Sequence, residues 1–362
     1  MDPRLYSDVF LALAMTLSFI YSARYLSSDG YCLQEEKENF LYPLLLSIFL
    51  VAWLGFRPLH FVFGDSYFYA HTYNTFFNTI EVDISKEWAW DGLMYVCKSL
   101  GFSASSFFGV VSIGYIISAL VAVKIMMPNN SMLAMIFILS SLMFYGFCVN
   151  GIRNGMACHI VLLGLALLLN NKHTIGALLL FLALGSHKST MLPIAAIVAA
   201  FMFKDKVKYA IYIWLLSIPF SLVAGGAATI FFASLGFDDR MSSYSDANAD
   251  MSVFSSSGFR WDFLLYSSFP VLMAWFVCIK RQISDNWYNV ICIIYCLCNA
   301  FWVLVIRAEF SNRFAYLSWF IYPIVIAYPL INLPIWNDQD RKTGLILLAY
   351  SGFTLFMELF VW

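Results

Sequence analysis

Long apolar stretches separated by short polar turns run along almost the whole chain. A transmembrane helix needs about 20 predominantly apolar residues, with a tolerance of several residues. Stretches of this kind cover 6–26, 40–56, 102–123, 131–149, 155–170, 173–204, 209–234, 261–279, 287–306, 314–332 and 343–361. The block 173–204 is interrupted by the polar run Gly185–Ser189, so we expect it to cross the membrane twice. The pattern predicts an all-α polytopic membrane protein with about twelve transmembrane helices.

Composition argues in the same direction and against a soluble domain. Hydrophobic residues make up 61% of the 362 positions and charged residues only 12%, whereas soluble domains carry about 25% charged residues. The formal net charge of −1 provides no basic surface that would attract nucleic acid. We therefore expect residues 1–362 to form a single integral membrane domain.

Lysine and arginine are concentrated in every second predicted loop. These positions are Lys124, Lys172, the run Lys204–Lys208, Lys280-Arg281 and Arg341-Lys342. Because positive charge is retained on the cytoplasmic side of a membrane, these loops should be cytoplasmic and the alternate loops external. The external side then includes the aromatic-rich segment 57–101 and the Ser- and Asp-rich segment 235–260, which we expect to be a flexible loop.

Segment 57–101 contains two stretches that predict short amphipathic helices. Asp65, Tyr69 and Tyr73 are spaced four apart, so they share one helix face. One interpretation makes Asp65 the cap of an interfacial helix whose tyrosines belong to the aromatic belt. The other makes this face a sugar platform, with tyrosines packing on the rings and Asp65 binding hydroxyls. The second stretch, Glu87–Tyr95, is expected to lie along the membrane surface.

Two polar motifs stand inside the most hydrophobic part of the chain. They are Asn150-Gly151-Ile152-Arg153-Asn154 and His187-Lys188-Ser189. An arginine at the centre of a membrane helix costs about 2.5–3.5 kcal/mol on insertion scales, so intramembrane charges are candidates for function. The alternative is that Arg153 lies at a helix end and reaches the interface at little cost.

The predicted external side carries isolated cations close to helix ends. They are Arg57, Arg153, His187, Lys188, Arg260, Arg307 and Arg313. Positive charge is disfavoured in translocated loops, and the guanidinium group binds phosphate oxygens bidentately. The set therefore suits a phosphate-bearing ligand, although scattered surface arginines are the alternative.

Glu309 stands four residues before Arg313 and would pair with it on one helix. Arg313 and Tyr316 can still face a common site.

Several other chemistries find no support in the sequence. It contains no Walker loop, HExxH motif or GxSxG motif, which argues against ATP-driven transport, metalloproteases and serine hydrolases. Cys292, Cys296 and Cys298 have no His or acidic residue close by. We therefore interpret these cysteines as small packing residues and expect no metal site.

The motifs follow one another in a recognisable order. Arg57 with Gly64-Asp65 and Tyr69 is followed by Gly151-Ile152-Arg153-Asn154-x-x-Ala157, by His187-x-Ser189 and by Asn312-Arg313-x-x-Tyr316. In this order and spacing the chain resembles, over residues 40–320, the EpsG family of exopolysaccharide-synthesis membrane proteins. That family is similar to the Wzy-type O-antigen and capsule polymerases. Asn154 stands where the family commonly has Gln.

The resemblance implies a GT-C-like helical fold and a glycosyltransferase of the bacterial cytoplasmic (inner) membrane, with its active site facing the periplasm or exterior. Such an enzyme moves a growing glycan from undecaprenyl pyrophosphate to the next lipid-linked repeat unit. Expected partners are these lipid-linked substrates, membrane lipid, a chain-length regulator and a flippase. No cofactor is required, because arginines can replace a metal at a diphosphate, although a divalent cation held by Asp65 stays an alternative.

Roles for individual residues follow from this resemblance. Arg153 and Arg313 are expected to stabilise the leaving pyrophosphate, assisted by Arg57 and Arg307. His187 is the expected general base, since imidazole exchanges protons near neutral pH, and Asp65 is its rival. Further substrate contacts are expected from Tyr69, Tyr73, Tyr316, Asn154, Lys188 and Ser189.

Two other functions share many of these features. A flippase or exporter of lipid-linked glycans would also need external arginines, but carriers place their binding residues near the membrane midplane. The candidate charges here collect on one predicted side, which favours chemistry over transport. A ligase that attaches the finished glycan to another lipid differs only in its acceptor, and the sequence does not separate it from a polymerase.

Overall fold

The computed structural model of the protein describes residues 1–28, 38–75, 86–234, 258–308 and 311–361. Within these ranges every regular element is a helix. The helices up to His187 are α1 (Tyr6–Leu26), α2 (Leu41–Leu50), α3 (Asp65–Thr75), α4 (Trp88–Ser99), α5 (Ala104–Met126), α6 (Ser131–Leu139), α7 (Phe144–Val149), α8 (Ile152–Leu169) and α9 (His173–Ser186). Those that follow are α10 (Met191–Met202), α11 (Val207–Ser234), α12 (Trp261–Ala274), α13 (Asn286–Leu304), α14 (Ser311–Trp319), α15 (Tyr322–Asn332) and α16 (Gln339–Phe360).

Eight helical stretches of the described chain are long and apolar enough to cross a membrane. They are Pro3–Leu26, Ala104–Met126, Ile152–Leu169, Val207–Gly225, Trp261–Lys280, Asn286–Leu304, Ser311–Asn332 and Gln339–Phe360. Three shorter apolar helices accompany them: Leu41–Gly55, His173–Ser186 and Lys188–Met202. The chain is therefore an all-helical, multi-pass membrane protein, and the larger number of about twelve crossings stays a prediction.

The predicted span 131–149 forms two helices instead of one. A break at 140–143 separates α6 from α7. Ser18 Oγ of α1 lies 2.7 Å from Ser140 Oγ, and Thr354 Oγ1 of α16 donates to the Ser140 carbonyl at 2.8 Å. A buried carbonyl that leaves a helix needs another hydrogen-bond partner. Thr354 of α16 supplies that partner, and Ser18 of α1 binds the Ser140 hydroxyl. Contacts from distant helices therefore allow a helix break in a mainly apolar sequence.

The predicted interruption of the block 173–204 is confirmed. α9 ends at Ser186, the backbone of His187 is extended, and a 3-10 turn at Lys188–Thr190 leads into α10. The His187 N–H donates to the Ala183 carbonyl at 2.9 Å. His187 therefore stands at a helix end.

The chain divides into two compact units, Met1–His187 with Ala327–Trp362 and Lys188–Ile326. In the first unit α8 packs against both α5 and α9, and α1 packs along α16. In the second unit α11 packs along α13. A buried polar chain stabilises this packing: Trp214 Nε1 donates to Asn299 Oδ1 at 2.7 Å, and Asn299 Nδ2 donates to Ser318 Oγ at 2.9 Å. Such interhelical bonds hold membrane helices together where packing has no hydrophobic driving force.

The two predicted external segments are only partly described. Of the predicted loop 235–260, only 258–260 lie among the described residues. Segment 57–101 is described except for 76–85, and its two predicted amphipathic stretches are the helices α3 and α4.

Candidate functional site

Arg153 is placed at the start of a helix by the turn that precedes it. α7 ends at Val149, Gly151 is the cap residue of α8, and Arg153 is the second residue of α8. The helix end lets a long side chain leave the apolar layer instead of crossing it. The location therefore agrees with the helix-end interpretation of Arg153, and its contacts decide whether the residue has a further role.

Glu87 immediately precedes α4, and the first residue of α4 packs on α9. The indole ring of Trp88 lies directly against Gly185 and has its centroid 5.3 Å from that of Phe181. Because both Gly185 and Phe181 belong to the last turns of α9, this packing brings the end of α9 close to the start of α4. His187 is thereby held next to Glu87.

One carboxylate binds both residues that the motifs singled out. Glu87 Oε1 lies 2.6 Å from His187 Nδ1, and Glu87 Oε2 accepts a hydrogen bond from Arg153 Nη1 in an ion pair. We call these three side chains the Glu87 cluster. The side chain of Glu87 is 17% exposed, that of His187 12% and that of Arg153 18%. Their charges are mostly buried and therefore interact more strongly than charges in bulk water, and each side chain keeps some exposed surface.

The carboxylate fixes which ring nitrogen of His187 carries the proton. An ionised carboxylate only accepts hydrogen bonds, so Nδ1 is the donor toward Glu87. In the neutral ring the other nitrogen, Nε2, is then the unprotonated one and carries the lone pair. The contact with Glu87 therefore determines the tautomer of the His187 ring.

Arg153 has further contacts that bear on its role. Its guanidinium carbon lies 5.8 Å from the centre of the Tyr69 ring, and Tyr69 meets Trp90 edge-on at 5.5 Å. Among the described residues its buried Nε has no hydrogen-bond partner. A buried unpaired donor is rare and calls for an explanation, and an anion bound beside Arg153 would supply the missing acceptor.

Arg57 of the first motif is a buried structural arginine. It is 1% exposed, and it donates to the carbonyls of Leu54 and Val149 at 2.8 and 2.9 Å and to Ser66 Oγ at 2.6 Å. Burial lowers the pKa of its guanidinium. These bonds tie the end of the second apolar helix to the end of α7 and engage both terminal nitrogens of the guanidinium, while the buried Nε has no hydrogen-bond partner among the described residues.

The Gly64-Asp65 pair docks onto the second motif. Gly64 has φ +59°, a conformation that favours glycine, and the Asp65 backbone N–H donates to Asn150 Oδ1 at 2.8 Å. Asn150 stands three residues before Arg153. The structure thus places Asp65 beside the turn that carries Arg153, with its side chain in the first turn of α3.

Tyr73 and Asn154, two expected substrate contacts, are packed inside the first unit. Tyr73 is fully buried, its ring stacks on Phe107 at 4.8 Å, and its hydroxyl donates to the Phe102 carbonyl at 2.9 Å. Burial raises the pKa of that hydroxyl to about 12. Asn154 accepts a bond from Cys158 Sγ at 3.2 Å. Neither side chain presents an open face to a ligand, whereas Tyr69 remains half-buried.

The other predicted site residues belong to the second unit. Lys188 is half-buried and Ser189 is buried, both in the 3-10 turn after His187. Arg307 is exposed and reaches the Leu222 carbonyl at 3.5 Å. Arg313 is half-buried near the start of α14, and Tyr316 is 2% exposed. The predicted Glu309–Arg313 pair involves a residue outside the described part of the chain.

The resemblance to the EpsG family was based on the order of these motifs, and a match to the model of that family would support it. The model of the EpsG family matches residues 40–362. The chain belongs to the EpsG family. The match covers α2 to α16, and so all four motifs, and it indicates a membrane protein of exopolysaccharide synthesis. No curated protein and no solved structure matches the chain.

Glu87 is the residue of the candidate site that the sequence of this EpsG-family chain did not single out. It precedes a tryptophan-rich amphipathic stretch, where an acidic residue is ordinarily a solvated helix start. The sequence could have pointed to Glu87 through its position, because its segment is predicted on the same external side as Arg153 and His187. An acid there has two cations to pair with, and the structure shows that it binds both.

Proposed function

We propose that this EpsG-family protein is a polysaccharide polymerase, a glycosyltransferase that moves a growing glycan from undecaprenyl pyrophosphate to the next lipid-linked repeat unit. The observation that supports the proposal best is the double contact of Glu87 with Arg153 and His187. It joins a group suited to binding an anionic leaving group with a group suited to removing a proton. Glycosyl transfer from a diphosphate needs both.

The proton is removed from the acceptor sugar. With Nδ1 bonded to Glu87, Nε2 of His187 accepts the proton of the acceptor hydroxyl, and that oxygen forms the new bond to the anomeric carbon of the donor. Glu87 holds the ring in one tautomer and stabilises the imidazolium that forms. In this scheme His187 is the base and Glu87 a positioning residue, with Asp65 as the rival base.

The electron pair of the broken bond goes to the pyrophosphate oxygen. Arg153 stabilises the charge that develops there, because a fixed cation aimed at a developing anion lowers the barrier. Its Nε has no partner among the described residues, and this and the nearby Tyr69 ring are consistent with a phosphate beside the guanidinium and a sugar beyond it. The expectation from the sequence that Arg307 and Arg313 of the second unit bind phosphate stays a prediction.

The setting proposed for this reaction follows from the family and the loop charges. The active site would face the exterior of the bacterial inner membrane, in a GT-C-like arrangement of helices. A flippase would deliver the repeat units and a chain-length regulator would act on the product. The alternation of lysine-rich loops supports this orientation.

The decisive experiment is a reaction of the purified protein with lipid-linked repeat units, analysed by the ladder of chain lengths formed. The wild type should extend the chains, whereas Arg153→Ala and His187→Ala should lose most of the rate, about 10²-fold or more. Arg341→Ala and His173→Ala, which change exposed residues, are matched controls. A single transfer to a different lipid would identify a ligase, and transport without any transfer would identify a carrier; either result overturns the proposal.

A further inference from the structure

A cleft in the second unit has no part in the proposed reaction. Its volume is about 360 Å³, and it is lined by α10, α11 and α13. Ile293 and Leu297 line it four residues apart on α13, and the small side chains of Ala199 and Ala210 line it from α10 and α11. Its size falls within the range of about 300–1,000 Å³ that small-molecule sites occupy. Its wall is suited to a hydrocarbon chain.

The lining of this cleft includes positive charge. Lys206 is among the lining residues, and its Nζ lies 5.8 Å from the centre of the Tyr209 ring. Lys204 and Lys208 flank it in sequence and are exposed, and Asp205 is the one acid in the run 204–208. The run therefore carries a net charge of +2, from three lysines less one aspartate. Lysines at helix ends extend their ammonium groups toward headgroups while their stems stay in the apolar layer.

The helix that begins there adds to the positive potential. α11 starts at Val207, directly after Lys206, and runs to Ser234. The first turn of a helix carries the positive end of its dipole and favours anions. A phosphate placed next to Lys206 would therefore meet both a side-chain cation and a helix start.

We propose that this cleft binds an anionic phospholipid, with an acyl chain against the apolar wall and the headgroup phosphate at Lys206. Charge complementarity decides the class of lipid, because basic residues beside clefts between membrane helices suit anionic headgroups. A zwitterionic lipid would fill the same wall but would gain much less from the lysines. The site is independent of the Glu87 cluster and of the proposed polymerase reaction.

Native mass spectrometry of the detergent-purified protein tests the proposal. Phosphatidylglycerol and phosphatidylcholine with identical acyl chains are titrated separately, and phosphatidylglycerol should bind roughly tenfold more tightly. Lys206→Gln should reduce that preference about fivefold. Lys172→Gln, which removes an exposed lysine of the first unit, should leave it unchanged.

A second variant addresses the apolar wall. Ala199→Phe fills the cleft and should weaken the binding of both lipids, whereas Lys206→Gln should affect only the anionic one. Melting temperatures close to that of the wild type show that the variants are folded. Equal affinity for the two lipids, or equal effects of Lys206→Gln and Lys172→Gln, would overturn the proposal.

Discussion

Glu87 Oε1 lies 2.6 Å from His187 Nδ1, although the two residues are 100 positions apart in the chain. The contact depends on Trp88, which packs on the last turns of α9. The second oxygen of the same carboxylate pairs with Arg153. A single side chain therefore determines the orientation of the proposed base and the position of the proposed phosphate ligand.

Glu87→Gln should reduce the rate of glycan transfer about 10²-fold or more, because an amide cannot stabilise the imidazolium and does not fix the tautomer of His187. Folding should be little affected, since the substitution preserves shape and the site is partly exposed. Initial rates on lipid-linked repeat units measure the effect.

A double mutant shows whether Glu87 acts through His187. Once His187→Ala has been introduced, Glu87→Gln should cost little more, because residues that act as a unit are not additive. Asp8→Asn, an acid-to-amide change at an exposed position, should leave the rate unchanged. Fully additive losses would mean that Glu87 has a role separate from His187.

Arg153→Lys should keep the pairing with Glu87 but lose bidentate phosphate binding, because an ammonium group lacks the planar fork of a guanidinium. We expect kcat/KM for the lipid-linked donor to fall about 10²-fold. Arg341→Lys is the matched control at an exposed site. If Arg153→Lys retains the full rate, the arginine serves only to hold Glu87 in place.

The helices of this protein were largely predictable because a lipid-facing or buried helix must be apolar along its length. The break at Ser140 was not predictable in this way. Its carbonyl is bonded by Thr354 and its hydroxyl contacts Ser18, and both residues lie more than a hundred positions away. Small hydroxyl side chains hardly change the local hydropathy, so the sequence pattern stays that of one continuous span.

The residues of the candidate site could be predicted where a polar or charged side chain interrupts an apolar stretch. Arg153 and His187 stand out because each interrupts an apolar stretch, and the structure joins them through Glu87. Glu87 itself escaped notice because an acid before an amphipathic helix has an ordinary explanation. Arg57 shows the opposite case. The sequence marks it as a ligand-binding arginine, but it is buried and its two terminal nitrogens bind two carbonyls and a hydroxyl of the protein, which only the tertiary structure reveals.

Arg57→Lys should destabilise the protein strongly, because one ammonium group cannot replace the bonds to Leu54, Val149 and Ser66 in a buried site. The loss should be about 3 kcal/mol or more, visible as a lower melting temperature in detergent. At a permissive temperature the KM for the lipid-linked donor should be unchanged. A raised KM with normal stability would instead restore the predicted phosphate role of Arg57.

Glu38 gives a prediction for the pH dependence of stability. Burial raises the pKa of its carboxyl, although the N–H groups of Met132 and Leu133 at the start of α6 partly oppose the shift. A carboxyl whose pKa is raised by folding contributes its full stability below its ordinary value of 4.5 and loses it as the pH rises through the folded-state pKa.

Glu38→Gln should therefore raise the melting temperature at neutral pH and change it little below pH 4.5. The glutamine still offers an oxygen to the Met132 N–H. Glu38→Ala removes that acceptor and should lower the melting temperature at both pH values. A lower melting temperature for Glu38→Gln at neutral pH would show that the charge stabilises α6 in spite of its burial.

Gly64→Ala tests the junction between the first two motifs. Gly64 has φ +59°, and an added Cβ would lie 2.5 Å from Asn150 Oδ1, the atom that accepts the Asp65 N–H. Relief of the overlap must either displace Asn150, three residues before Arg153, or distort the start of α3. We expect a loss of stability of about 1–3 kcal/mol and a lower transfer rate in the protein that remains folded.

Gly92→Ala is the control. It adds a Cβ that meets nothing within 4 Å inside the helix α4, so it should be neutral or slightly stabilising. If the two variants behave alike in melting temperature and transfer rate, the docking of Gly64-Asp65 on Asn150 does not support the Arg153 turn.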